Sequence, residues 1–427
     1  MPLKTNVGSP ASLARAKDPA RDASDEIEYA FRFITPMFGG GVEVKGPDKP
    51  FDPQTPIRVP SIRGQLRFWW RACNRVRATS IEELRDAEAK LWGSTSQPSA
   101  ISIRVDDQPR PPARVQVFTE GRNGRWSAIH EHRKLAYAIF PLKPPEESTE
   151  QPGVLWRFKS EPITLSLRIP SAARNEVMEA LQAWSLFGGL GGRTRRGFGA
   201  IERVTPADET TVEEFLASLN ERPRIAEVPS LCGAKVAFAG SHKTSDEAWA
   251  EAVDALQRFR QGPGTGRAPI NKQTKRPGRS YWPEADAIRV HAGHNAERHA
   301  PRDTADKFPR AAFGLPIIFH FSTRNDPNDA TLTPADGLHR FASPLLLRPA
   351  KAGTKTYRSM AVMLANTAPP DDLTLSGKDR AQRPFSKQVT QHLRPSEARS
   401  IRPLGGVADP LESFLRYFAT PSQNNTR

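Results

Sequence analysis

Apolar side chains occupy every second position across residues 27–33 (Ile27, Tyr29, Phe31, Phe33), the period of a strand that buries one face. Thr35-Pro36 ends it, and a stretch rich in glycine and proline continues to Pro60. Ser61 is then placed to cap a helix reaching residue 76. Short strands are predicted at 101–105 and 114–118. Across 163–169 the alternation is clean: Ile163, Leu165, Leu167 and Ile169 are set against Thr164, Ser166 and Arg168, and Pro170 closes the strand. Ser171 opens a second helix with Val177, Leu181 and Trp184 inward, and Gly188 suits its C-terminus. A last strand is predicted at 198–204.

Strand, helix, strands, then strand, helix, strand is the order of a ferredoxin-like βαββαβ unit, a sheet with helices on one face. The polar, acidic segment that follows reads as a linker with a short helix at 212–219. A second unit begins with a strand at 235–239. It continues with a helix at 246–260, with Trp249, Val253 and Leu256 inward, and strands at 315–321 and 360–364. Element order alone therefore predicts an α+β protein of two tandem ferredoxin-like (RRM-like) domains with long loop insertions. The expected divisions are a disordered tail at 1–25, a first domain at 26–205, a linker at 206–230, a second domain at 231–417 and a tail at 418–427.

A chain of 427 residues exceeds one core of usual size, and its 40 prolines and 29 glycines imply long irregular connections. Lys and Arg number 62 against 47 Asp and Glu, a formal charge of +15 that points to a polyanionic partner. Cys73 and Cys232 match no metal-ligand or redox spacing, which fits a reducing compartment, the cytoplasm. No apolar run approaches the ~18 residues of a membrane span, and the N-terminal residues lack the apolar core of a signal peptide. No cofactor or metal ion is expected.

The arginines cluster. On a helix beginning at Ile62, the residues Ile62, Leu66, Trp69, Cys73 and Val76 form an apolar stripe, while Arg63, Arg67, Arg71 and Arg75 recur every four residues along its flank and back. Like charges at this spacing repel, and no acid in the segment offsets them; phosphates, or acids from elsewhere in the fold, would. Gly64 lets another backbone approach the same side. Trp69 reads as core. Trp70, at the edge of the stripe, suits either stacking on a base or burial in a domain contact.

The densest signal is the run Phe187-Gly188-Gly189-Leu190-Gly191-Gly192-Arg193-Thr194-Arg195-Arg196-Gly197-Phe198-Gly199. Glycines there admit positive φ and close backbone approach, consecutive amides can form an anion-binding nest, and Arg193, Arg195, Arg196 and Thr194 add charge and a hydroxyl. Such a loop can hold a sugar-phosphate backbone without reading bases. It matches neither a P-loop nor a Rossmann fingerprint, and Gly188 and Gly189 are accounted for by helix termination. Residues 258–282 form a second basic stretch (Arg258, Arg260, Arg267, Lys272, Lys275, Arg276, Arg279) without an acid, broken by Gly and Pro and ending in Tyr281-Trp282. A long basic loop with aromatics suits single-stranded RNA, and a solvated loop is its plain alternative.

Three stretches together resemble one family: Phe33-Ile34-Thr35-Pro36-Met37-Phe38-Gly39-Gly40, then Arg58-Val59-Pro60-Ser61-Ile62-Arg63-Gly64-Gln65-Leu66-Arg67-Phe68-Trp69-Trp70-Arg71-Ala72, and Gly191 to Gly199. It is the first-numbered RAMP subunit of the Cmr (type III-B) CRISPR effector complex. Pro277-Gly278-Arg279-Ser280-Tyr281-Trp282-Pro283-Glu284 and Phe341-Ala342-Ser343-Pro344-Leu345-Leu346-Leu347-Arg348-Pro349 resemble its second half. The resemblance implies two ferredoxin-like RAMP domains that bind CRISPR guide RNA and target single-stranded RNA beside sibling Cmr subunits, in antiviral defence. Target cleavage in that family belongs to another subunit. Arg58, Arg63, Arg67, Arg71, Arg193, Arg195 and Arg196 become the leading RNA contacts, with Trp70, Gly191, Gly192, Thr194, Arg267 and Arg279 beside them.

The competing reading is a metal-independent endoribonuclease that processes CRISPR RNA, which needs a general base and acid near the scissile 2′-hydroxyl. His291, His294 and His299 are the candidates, but their spacing pairs none of them on one helix face, and no carboxylate pattern marks a metal. A purely structural subunit is the third reading; RNA affinity that falls steeply with salt separates it from a binder.

Overall fold

A computed structural model describes residues 23–39, 55–122, 124–145, 148–206, 210–274, 278–294, 304, 306–321, 326–335, 337–367 and 370–420. The first half runs β1 (Ser24–Phe33), α1 (Val59–Cys73), α2 (Ile81–Trp92), β2 (Ser102–Val105), β3 (Ala113–Val115), β4 (Phe118–Glu120), β5 (Trp126–Ala128), α3 (Ala136–Ile139), β6 (Leu155–Arg157), β7 (Ile163–Pro170), α4 (Arg174–Phe187) and β8 (Ile201–Thr205). After α5 (Val212–Ala217) come β9 (Ser230–His242), α6 (Ser245–Gln261), α7 (Glu284–His291), β10 (Ile317–Phe319), β11 (Ala330–Pro334), β12 (Leu345–Gly353), β13 (Thr356–Ala365), β14 (Asp372–Lys378), β15 (Pro384–Thr390), α8 (Pro395–Ser400) and α9 (Pro410–Ala419). The protein is a mixed α+β structure.

Four strands of the first half form one antiparallel sheet in the order β2-β7-β1-β8. The register sets Ile27 opposite Leu167, Tyr29 opposite Leu165 and Phe31 opposite Ile163, so the two alternations share a face. α1 and α4 cover that face, packing Ile62, Leu66, Val177, Leu181 and Trp184 onto it. A buried hydroxyl in this layer is answered: Tyr29 Oη donates to the Leu181 carbonyl at 3.1 Å. α1 starts earlier than expected, because Pro60 in the first turn has the φ a helix wants; Arg58, with no side-chain cap, takes the place foreseen for Ser61. It ends sooner as well, at Asn74 in the left-handed region. The strand expected at 114–118 is two short strands, β3 and β4, outside the main sheet.

The second half differs from its expectation. β12-β13-β9 make a three-stranded sheet, and the segment expected at 315–321 belongs to a separate sheet, β10-β11-β14-β15. Among the described residues no fourth strand joins β9. The three-stranded sheet is buried on both faces: Leu346, Met360, Val362 and Leu364 join the core of the first half, whereas Leu345, Leu347 and Ala361 pack beneath α6 and α9. That is why Leu345-Leu346-Leu347 reads as a continuous apolar run. The segment expected as a linker also enters the shared core, through Val212, Phe215, Leu216 and Leu219. β1 begins at Ser24 and α9 runs to Ala419, so the inner edges of both expected tails are structured, and the rest lies outside the described residues.

Candidate nucleic-acid interface

The arginine ridge of α1 exists, but acids from other helices answer it. Arg67 Nε lies 2.6 Å from Glu88 Oε1, and Arg71 bonds the same carboxylate oxygen, which α2 carries into a buried position. Arg75 Nη1 pairs with Glu179 of α4 at 2.8 Å, and Arg222 bonds that carboxylate too. Arg63 donates to Ser99 Oγ at 2.7 Å and to the Ile101 carbonyl at 3.2 Å; burial, and then the neighbouring charge of Arg67, lower its pKa. Arg58 sits half-buried at the head of the helix. Trp70 is 1% exposed and donates to Glu176 Oε2 at 3.0 Å, so no base can stack on it. Trp69 is core, as its place on the stripe predicts.

The glycine-rich loop is held from three sides. Gly191 and Gly192 lie on Phe38, beyond the end of β1, and the Gly192 amide donates to its carbonyl at 2.6 Å. A Cβ at Gly191 (φ +85°) would stand 2.6 Å from Met37 Cγ. Arg193 is left-handed (φ 55°), exposed, and 6.0 Å from the Phe38 ring centroid. A 3₁₀ turn over Thr194–Arg196 follows. The amides of Arg193, Thr194 and Arg195 meet no acceptor among the described residues, the arrangement of an anion-binding nest. Arg195 reaches α1, its guanidinium 5.7 Å from the Phe68 ring centroid, and donates to the Ser343 carbonyl. The two basic segments therefore meet at Phe68, not along the ridge.

From this loop the guanidiniums continue into the second half. Arg196 donates to the Leu345 carbonyl at 2.8 Å, next to Arg260, which bonds the Tyr137 hydroxyl and lies 5.4 Å from the Phe313 ring centroid. Arg310 comes next, between the rings of Trp282 and Phe319, with Nε 3.2 Å from Glu284 Oε1. Arg267 follows. Burial lowers the pKa of Arg193, Arg195, Arg260 and Arg267, and that of Arg196 to about 10; all remain charged at neutral pH. None of these five is ion-paired among the described residues. Arg279 is, with the buried Asp286. Lys275 and Arg276 of the same stretch lie outside the described residues. The sequence reading missed Tyr137 and Arg310, and did not set Arg260 beside the Arg/Gly loop. Only the lack of acids across 258–282 marked Arg260.

The second half also sets the loop. Arg348, 4% exposed, gives Nη1 to the Gly188 carbonyl at 2.9 Å and Nη2 to the Ile201 carbonyl at 2.7 Å. Trp249 Nε1 donates to the Arg196 carbonyl at 2.7 Å. A Cβ on Gly197 (φ +80°) would fall 2.6 Å from Trp249 Cδ1 and 2.7 Å from the Leu347 carbonyl. The loop thus needs glycine at that place and the second half beside it.

His291 Nε2 lies 3.0 Å from Asp306, His294 is elsewhere on the turn after α7, and His299 lies outside the described residues. Among the described residues no cluster of His, Cys, Asp and Glu can hold a metal ion, and no helix is long and apolar enough to cross a membrane.

The RAMP superfamily model matches residues 30–202, the stretch that holds the sheet, its two covering helices and the Arg/Gly loop. The chain is similar to Cmr subunits in particular. It is 24% identical over 192 residues to the CRISPR system Cmr subunit Cmr1-2 of Pyrococcus furiosus, covering 42% of this chain and 94% of that relative. Against subunit Cmr1-1 of the same organism it is 28% identical over 158 residues, 36% of this chain and 42% of that one. A crystal structure of apo Cmr1 from Pyrococcus furiosus covers 81% of this chain and 89% of its own at 17% identity, with a TM-score of 0.45. The family read from the motifs is the family the comparisons find, and they indicate no catalytic enzyme family.

Proposed function

We propose that this protein is a non-catalytic RNA-binding subunit of a type III-B CRISPR effector complex. The relatives' names as Cmr subunits support the assembly, with sibling Cmr subunits as partners, and the free thiols of Cys73 and Cys232 fit a reducing cytoplasm as its place. One observation carries the RNA reading: Arg193, Arg195, Arg196 and Arg260, from both halves of the chain, approach one another with no ion pair among the described residues, and Arg267 continues the track beside Arg310. Unpaired, partly desolvated guanidiniums cost folding free energy, and a phosphodiester backbone laid along them supplies the missing charge. The nest of loop amides adds donors for the same phosphates. Guide RNA and target single-stranded RNA are both ligands of this track. Arg58 and Arg63 flank it, as do Arg67 and Arg71, whose shared Glu88 reduces their net charge; Gly191, Gly192 and Thr194 shape the nest, and Arg279 positions α7.

We further read the first unit, 26–205, as ferredoxin-like, since its strands lie in the order second-third-first-fourth. The second unit, 231–417, is read as the same design carrying β10, β11, β14 and β15 as insertions, with 206–230 joining the two. The test is crosslinking of the purified protein to guide and to target RNA separately, with mapping of the linked residues. Links are expected at 193–196, 260 and 267; links absent from all three would end this reading.

A further inference from the structure

Between β5 and β6 the chain makes a nearly continuous helical run: a 3₁₀ turn over His130–Leu135, α3, and a second turn over Phe140–Leu142. Leu135, Ala138, Ile139 and Leu142 face inward and pack with Trp249 and Val253 of α6. Arg133, Tyr137 and Phe140 follow one another at spacings of four and three, which sets them on one side of the run. Tyr137 is half-buried and is the residue that anchors this run to the arginine track: its hydroxyl accepts from Arg260, whose guanidinium is 5.6 Å from its ring centroid. Arg133 is exposed, and Phe140 is 67% exposed, the one aromatic side chain among the described residues that stands open to solvent.

A lone exposed apolar side chain needs no special reason. This one is a flat ring, at the end of a line that begins with a free cation, one helical turn from a phenol already bound to the guanidinium track. We propose that Phe140 is a stacking platform for a base of single-stranded RNA whose phosphates run over Arg193 and Arg260. Stacking on an open ring tolerates any base, and adjoining cations hold the strand in place. The inference rests on the proposed RNA function and adds to it a residue that touches a base rather than a phosphate.

The test uses the full chain and an unstructured RNA carrying 2-aminopurine, read by anisotropy and by quenching of the analogue. Phe140→Ala and Phe140→Leu are expected to weaken binding by roughly 5- to 100-fold and to abolish quenching, with the salt slope unchanged, and Phe140→Trp to restore both. Because Phe140 lies on the surface, these variants keep the fold. If Phe140→Ala binds RNA like the parent while Arg193→Ala weakens it, the stacking proposal fails and the RNA reading stands; if neither variant matters, the RNA reading falls first. Retained affinity with lost assembly onto sibling subunits would make Phe140 a protein contact and overturn the proposal.

Discussion

Two arginine-rich regions look alike in the sequence and end up different in the fold. On α1, Arg67 and Arg71 share Glu88, and Arg75 shares Glu179 with Arg222, so buried carboxylates absorb most of the ridge. On the loop and across the junction, Arg193, Arg195, Arg196 and Arg260 are met by carbonyls, a phenol and aromatic rings, which direct a cation without cancelling it. A count of basic residues measures neither arrangement. What matters for a polyanion is the charge left after the fold has made its own pairs.

The largest effect that can break this comparison is at Gly197. Gly197→Ala forces a left-handed alanine against Trp249 and the Leu347 carbonyl, and is expected to cost about 3 kcal/mol in urea unfolding, with RNA binding lost alongside. Stability equal to the parent would mean that the second half does not set the loop. Glu88→Gln comes next: it is expected to lower stability by about 1–2 kcal/mol while raising RNA affinity, since Arg67 and Arg71 are released together. A loss of affinity there would show that the ridge already works paired. Arg193→Ala and Arg267→Ala are each expected to reduce the slope of log affinity against log salt by about 0.7. The smallest effect belongs to Arg75→Ala, whose Glu179 keeps Arg222, and the slope should not move. An equal drop from Arg75 and Arg193 would erase the distinction between the regions.

Much of the first half was legible because its elements bury one face. The alternations of β1 and β7 and the inward stripes of α1 and α4 are set by periodicity, and periodicity is local. The neutralising acids were not legible, since Glu88 and Glu179 come from other helices and nothing local ties them to α1. Trp70 illustrates the same limit: its angle on the helix put it at an edge, and Glu176 of α4 turned that edge into core. In the second half β12 and β13 are buried on both faces, so a clean alternation is missing, and the four strands of the extra sheet interrupt the element order. The Arg/Gly loop was found from composition alone, while the meeting of Tyr137 with Arg260 was missed because it depends on how a helical insertion lies against α6.

Arg348 ties the loop to a residue made much later. At ~5–20 residues per second, the ribosome needs roughly 7–30 s to synthesise the 147 positions between Ile201 and this guanidinium. Throughout that interval the Gly188 and Ile201 carbonyls have no donor from downstream, and the nascent Arg/Gly segment is unset. Stalled nascent chains that stop short of β12 are therefore expected to be nicked by protease within 191–197, whereas released chains resist, which makes readiness for RNA an event of completed translation.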